Sequence, residues 1–228
     1  MRYIYCHPLF DERKCSHRFS YQLAKTFEKN NLCLERFDYQ GTGEAEGKFY
    51  DVTMDSMQND LKIKIADSPA CLIGTRLGAT IAFDCCCQKK QVIKTLILIE
   101  PVVNGKGYVD YLFRKQHLKD MITGNHNDLS NDKSFCNLEG YKTSNAFLEQ
   151  VRHINLFELP NLLNVEAVYI AQISSSGKVY PEYNQLANHL KKNGIRVNIE
   201  IFNLPIFWER IPAMDYSVLT DKIAEWCK

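Results

Sequence analysis

Apolar positions in this chain recur at two periods, and the alternation between them predicts its architecture. Residues 2–6 have the pattern of a short strand, and 16–30 carry Phe19, Leu23 and Phe27 at helical spacing on one face. A strand is expected at 32–37, a helix at 53–66 opened by the hydroxyl of Thr53, and a strand at 70–73. A turn centred on Arg76 leads into a helix that begins at Leu77 and runs on to Lys89. Residues 95–99 form an unbroken strand of the kind buried on both faces of a sheet. From 104 to 164 the rhythm changes. Polar residues gather around Gly124, Asn125, His126, Asn127 and Asp128, no strong strand stands out, and a helical and irregular lid insertion is expected. The rhythm then resumes with a strand at 167–173, a helix at 180–193 closed by Gly194, a strand at 197–202 and a helix at 215–228. Six strands separated by helices imply one α/β domain over 1–228, with a mostly parallel, doubly wound sheet and right-handed crossovers. Ligands bind beyond the carboxyl ends of such strands. That topology gathers His7, Asp38, Arg76, Glu100 and Ser174 to Ser176 on one rim.

Composition narrows the function classes. A net charge of +1 on 228 residues gives no electrostatic case for nucleic acid or an anionic membrane. No apolar run reaches the length of a membrane span, and Arg2-Tyr3-Ile4-Tyr5 reads as a strand rather than a signal peptide. The nine cysteines include no C-x-x-C pair and no zinc spacing, so neither metal nor cofactor is expected. They read as small core residues of a reduced, cytoplasmic protein.

Gly74-Thr75-Arg76-Leu77-Gly78 carries the sharpest signal. A strand, a tight turn flanked by glycines and a helix form the context of the G-x-S-x-G nucleophile elbow, and the chain resembles the α/β-hydrolases. Cys6-His7-Pro8-Leu9-Phe10 is similar to the family loop that supplies an oxyanion-hole amide. Arg36 to Gly43 is similar to its D-x-R-G-x-G turn. Gly74 to Ala79, Glu100 to Lys106, His7 to Phe10 and Pro205 to Trp208 resemble segments of the exosortase-system-associated hydrolases, bacterial proteins found with exopolysaccharide and protein-sorting systems. The resemblance implies a serine, cysteine or aspartate at the elbow, an acid after strand 167–173 and a histidine after the last strand. Here the elbow tip is Arg76, a permanent cation that does not attack a carbonyl. Ser174-Ser175-Ser176-Gly177-Lys178 stands at the acid position, and no histidine follows His189. All three roles of the triad are unfilled by this reading.

A cation at a helix N-terminus is unfavourable by roughly 0.3–1 kcal/mol unless an anion shares the site. Two anions are expected there, and they are compatible. One is the carboxylate of Glu100 in a bidentate pair with Arg76. The other is a ligand carboxylate or phosphate held by Arg76, the Leu77 amide and the amides of Leu9 and Phe10. Cys6, His7 and Glu100 are the candidates if altered chemistry survives, and Cys15 opens a helix where a thiolate is favoured. His17, His117, His126, His153 and His189 lie in no motif. Asp11 to Lys14 reads as a solvated mixed-charge loop, and Asp38 as the brace of the 41–47 turn. The favoured expectation is a pseudohydrolase that binds a small anionic ligand or a protein partner. The alternative is a hydrolase or acyltransferase acting on an ester, thioester or amide.

Overall fold

A computed structural model describes residues 1–66, 68–87, 93–124, 133–159, 165–210 and 214–228. The expected α/β architecture is present. Strands β1 (Arg2–Cys6), β2 (Leu34–Arg36), β3 (Ala70–Thr75), β4 (Ile93–Ile99), β7 (Ala167–Ile173) and β8 (Arg196–Phe202) form one parallel sheet in the order β2-β1-β3-β4-β7-β8. The chain moves outward from β1 to β2, then returns to start β3 on the other side of β1. A crevice opens where the winding direction reverses, between β1 and β3.

Helices cover both faces, which is why β3 is buried at every position and β1, β4 and β7 at most of theirs. Helices α2 (His17–Lys29) and α8 (Ser217–Trp226) pack on one face, where Phe19, Leu23, Leu219 and Ile223 are fully buried. The other face carries α3 (Met54–Ile65), α4 (Leu77–Cys86), α5 (Gly105–Thr123) and α7 (Pro181–Lys192). The Thr53 hydroxyl accepts from the Ser56 amide and starts α3 as a capping box, the role its position implied. No described helix is long and apolar enough to cross a membrane.

Two local expectations are corrected. Residues 11–14 are not a solvated loop but the middle of α1 (Phe10–Cys15), which buries Glu12. Segment 104–164 contains a hairpin of β5 (Phe135–Leu138) and β6 (Tyr141–Ser144), followed by α6 (Asn145–Arg152). These strands are four residues long and pair only with each other, so their alternation is too brief to stand out. His126 and the end of the helix expected to reach Lys89 lie outside the described residues.

Candidate functional site

The bend after β3 puts Arg76 at φ 55°, ψ −125°, a conformation that costs a non-glycine residue about 1–3 kcal/mol. The flanking glycines show why the bend tolerates nothing larger. A Cβ on Gly74 would lie 2.4 Å from the Ala79 Cα, and one on Gly78 would lie 2.4 Å from the carbonyl oxygens of Cys6 and His7. Helix α4 therefore lies against its own strand, and the loop after β1 crosses directly over it. Phe10 and Glu100, beyond β1 and β4, also have positive φ (55° and 48°), so strained turns cluster at this rim.

Arg76 is held on several sides. Its Nε donates to Glu12 Oε1 at 3.1 Å, and its Nη1 donates to the backbone oxygen of Glu100 at 3.3 Å. The guanidinium lies 5.7 Å from the Tyr108 ring centre and 5.2 Å from that of Trp208. The Tyr108 hydroxyl donates to Glu12 Oε2 at 3.1 Å, completing a buried arginine–carboxylate–phenol chain. Burial pushes the Glu12 carboxyl up, and Arg76 and Tyr108 oppose that rise. Burial works against the charge of Arg76 too, but Glu12, Tyr108 and Tyr183 more than offset it and hold the guanidinium protonated.

The pairing of Arg76 with the Glu100 carboxylate is thus corrected: Glu12 is the carboxylate partner. Glu100 directs its side chain to β7 and α7 instead, where Oε1 accepts from the Ile173 amide and Oε2 from the Tyr183 hydroxyl at 3.0 Å. Its left-handed backbone leaves the carbonyl, not the carboxylate, within reach of Arg76.

A cavity of about 250 Å³ opens beside Arg76, walled by Glu100, Asn104, Tyr108, Tyr111 and Tyr183, with Glu182 also lining it. Among the described residues no serine, cysteine or histidine lines it. Arg76 lines it with 16% of its side-chain surface exposed, and its hydrogen bonds among the described residues run from Nε and Nη1. Burial raises the carboxyls of both Glu100 and Glu182, and Arg76 opposes each rise.

The remaining expected residues lie elsewhere. Cys6 is buried near Tyr39 and Cys85, and burial pushes its thiol up to about 12. His7 packs edge-on against Tyr5, ring centres 4.7 Å apart, and its buried Nδ1 has no hydrogen-bond partner among the described residues. Burial, reinforced by Arg13, pulls the His7 imidazole down to about 3. Leu9 and Phe10 do not join the Arg76 cavity. With Arg13, Lys14, His17 and Tyr141 they line a separate cleft of about 450 Å³, because α1 turns inward at Phe10 and interposes Glu12. Leu77 is fully buried at the start of α4. Burial raises the Cys15 thiol rather than lowering it, and Asp11 adds to the effect. His17, His117 and His153 are exposed. Asp38 does brace the 41–47 turn, accepting from the Glu44 amide and from Arg13 Nε, each at 3.0 Å.

The site roles of Glu12, Glu182 and Tyr183 were not legible beforehand. Glu12 had a signal. It stands four, seven and eleven residues before the buried Ser16, Phe19 and Leu23, so the buried stripe of α2 extends back through it.

The same architecture recurs in solved structures. Est1E from Butyrivibrio proteoclasticus, solved with ferulic acid bound, superposes with a TM-score of 0.69 at 14% identity, covering 99% of this chain and 87% of that one. Alpha/beta hydrolase domain-containing protein 10 from mouse gives 0.62 at 16% identity over 99% and 88% of the two chains. The α/β-hydrolase GrgF from Penicillium sp. sh18 gives 0.65 at 11% identity over 99% and 88%. No family model matches the chain, and no curated sequence does. What these likenesses establish is the fold: the chain has the α/β-hydrolase fold.

Proposed function

We propose that this protein is a pseudohydrolase: a non-catalytic binder that uses the former active-site crevice to hold a small ligand whose acceptor group takes a hydrogen bond from Arg76. The observation that carries the reading is the partly exposed Arg76 guanidinium on a 250 Å³ cavity lined, among the described residues, by no serine, cysteine or histidine. Arg76 donates to the ligand, Glu12 and Tyr108 keep the guanidinium in place, and Glu100 fixes the wall between β4 and β7. The cavity is smaller than the roughly 300–1,000 Å³ that takes drug-sized molecules, which favours a small ligand over a protein partner. In this reading the 104–164 segment is the lid, since Tyr108 and Tyr111 of α5 close one side. The triad roles are unfilled in this reading: Arg76 at the elbow does not attack a carbonyl, Ser174 to Lys178 after β7 includes no carboxylate, and Asn203 to Trp208 after β8 includes no histidine. The nine cysteines suit a reducing, cytoplasmic setting. The resemblance of Gly74 to Ala79 and Glu100 to Lys106 to segments of the exosortase-system-associated hydrolases is what supports placing the protein in a bacterial exopolysaccharide context.

An ester and thioester panel run on wild type and Arg76→Ala tests the proposal. Neither protein is expected to exceed background hydrolysis. Turnover by wild type that disappears on substitution favours the hydrolase or acyltransferase alternative and overturns the binder.

A further inference from the structure

We infer that the ligand of the Arg76 cavity is a small zwitterion, an α-amino acid or a molecule with the same pairing of carboxylate and ammonium, an assignment that rests on reading that cavity as a ligand site. The charges on its walls carry the inference. Arg76 is the one cation lining it among the described residues, and its charge is already met by Glu12 at 3.1 Å. What Arg76 offers is therefore a directed N–H donor with little net positive potential. Two carboxylates, Glu100 and Glu182, line the same space. Glu100 is occupied by the Ile173 amide and the Tyr183 hydroxyl. Glu182 is exposed and has no hydrogen-bond or ion-pair partner among the described residues.

A simple organic anion entering here meets a neutralised arginine and two carboxylates. A simple amine satisfies Glu182 but leaves the Arg76 donor facing nothing. A ligand bearing both groups satisfies both walls: its carboxylate accepts from the Arg76 guanidinium, and its ammonium donates to Glu182. Tyr111 and Tyr183 line the same cavity, and aromatic side chains attract cations. The small volume leaves room for an amino acid with its side chain and little more.

The test is calorimetric binding to the full chain with matched sets: phenylalanine, 3-phenylpropionate and phenethylamine, then leucine, 4-methylpentanoate and 3-methylbutylamine. The amino acid of at least one set is expected to bind about tenfold or more tighter than both its acid and its amine, the worth of one charge-assisted contact. Glu182→Gln, at an exposed position, is expected to erase most of that advantage while leaving acid binding unchanged or stronger. Acids that bind as tightly as amino acids overturn the zwitterion and leave the Arg76 site standing. Amines that bind as tightly also overturn it, and so does an amino-acid advantage that survives Glu182→Gln. If no compound binds at millimolar concentration, the ligand-site reading falls and takes the zwitterion with it.

Discussion

Glu12 Oε1 accepts a hydrogen bond from Arg76 Nε at 3.1 Å, joining residues 64 positions apart across the crevice between β1 and β3. Glu12 is 1% exposed, so its charge has almost no water to fall back on. Removing one member of such a buried pair leaves an uncompensated charge and typically costs about 3–5 kcal/mol. Glu12→Gln is expected to lower unfolding stability by that order in urea titrations. The double variant Glu12→Leu with Arg76→Met should lie much nearer to wild type. A loss below about 1 kcal/mol for the single change, the usual value of an exposed pair, argues that Arg76 has another anion.

Gly78 is where the loop after β1 touches α4. A Cβ there would lie 2.4 Å from two carbonyl oxygens, and backbone atoms do not yield as a flexible side chain does. Gly78→Ala is expected to destabilise by about 1–3 kcal/mol through overpacking, although alanine is the better helix former. An unchanged or raised melting temperature contradicts the close crossing.

Acid sensitivity should have a contribution from His7. Its ordinary value is 6.5, and burial, with Arg13 adding to it, pulls the folded value down to about 3. Between those limits the unfolded chain binds a proton that the folded chain refuses. The stabilisation is therefore complete above pH 6.5 and is lost progressively as the pH falls toward 3. His7→Phe is expected to flatten the stability slope over pH 6.5 to 4 by up to about 1.4 kcal/mol per pH unit. Urea midpoints at three pH values check it, and parallel slopes for variant and wild type refute it.

Thiol chemistry should separate the cysteines by position. Cys33 is exposed, whereas Cys6, Cys71, Cys85, Cys86, Cys87 and Cys227 are buried. Burial also pushes the Cys85 thiol up to about 11 and that of Cys87 up to about 12, so thiolate is scarce at both. With a disulfide reagent at pH 8, one fast thiol is expected in the native protein, and Cys33→Ser should abolish that phase. The buried thiols should react only in denaturant. Fast labelling of several cysteines in the Cys33→Ser protein counts against the packing described.

Much of this molecule was legible in the chain because the legible parts are local. The Thr53 cap needs only the next three residues, and β3, the Arg76 bend and α4 are consecutive. Asp38 and the turn it braces lie within six residues of each other. The readings that failed concern partners distant in sequence. Glu100 follows the neighbouring strand and looked like the natural mate of Arg76, yet a positive φ of 48° turns its carboxylate toward β7. Leu9 and Phe10 were expected as donors beside Arg76, and a six-residue helix carried them to another cleft.

By itself the sequence determined the strand and helix periods, the parallel sheet they build and the arginine at the bend, since hydrophobic spacing states which side of each element turns away from water. Spacing is silent on what stands opposite a buried side. That Arg76 is neutralised by Glu12, flanked by Tyr108 and Trp208, and left lining a cavity was decided only when β1 and β3 came together where the winding reverses. A charge in a dry crevice takes whichever partner the packing brings within reach.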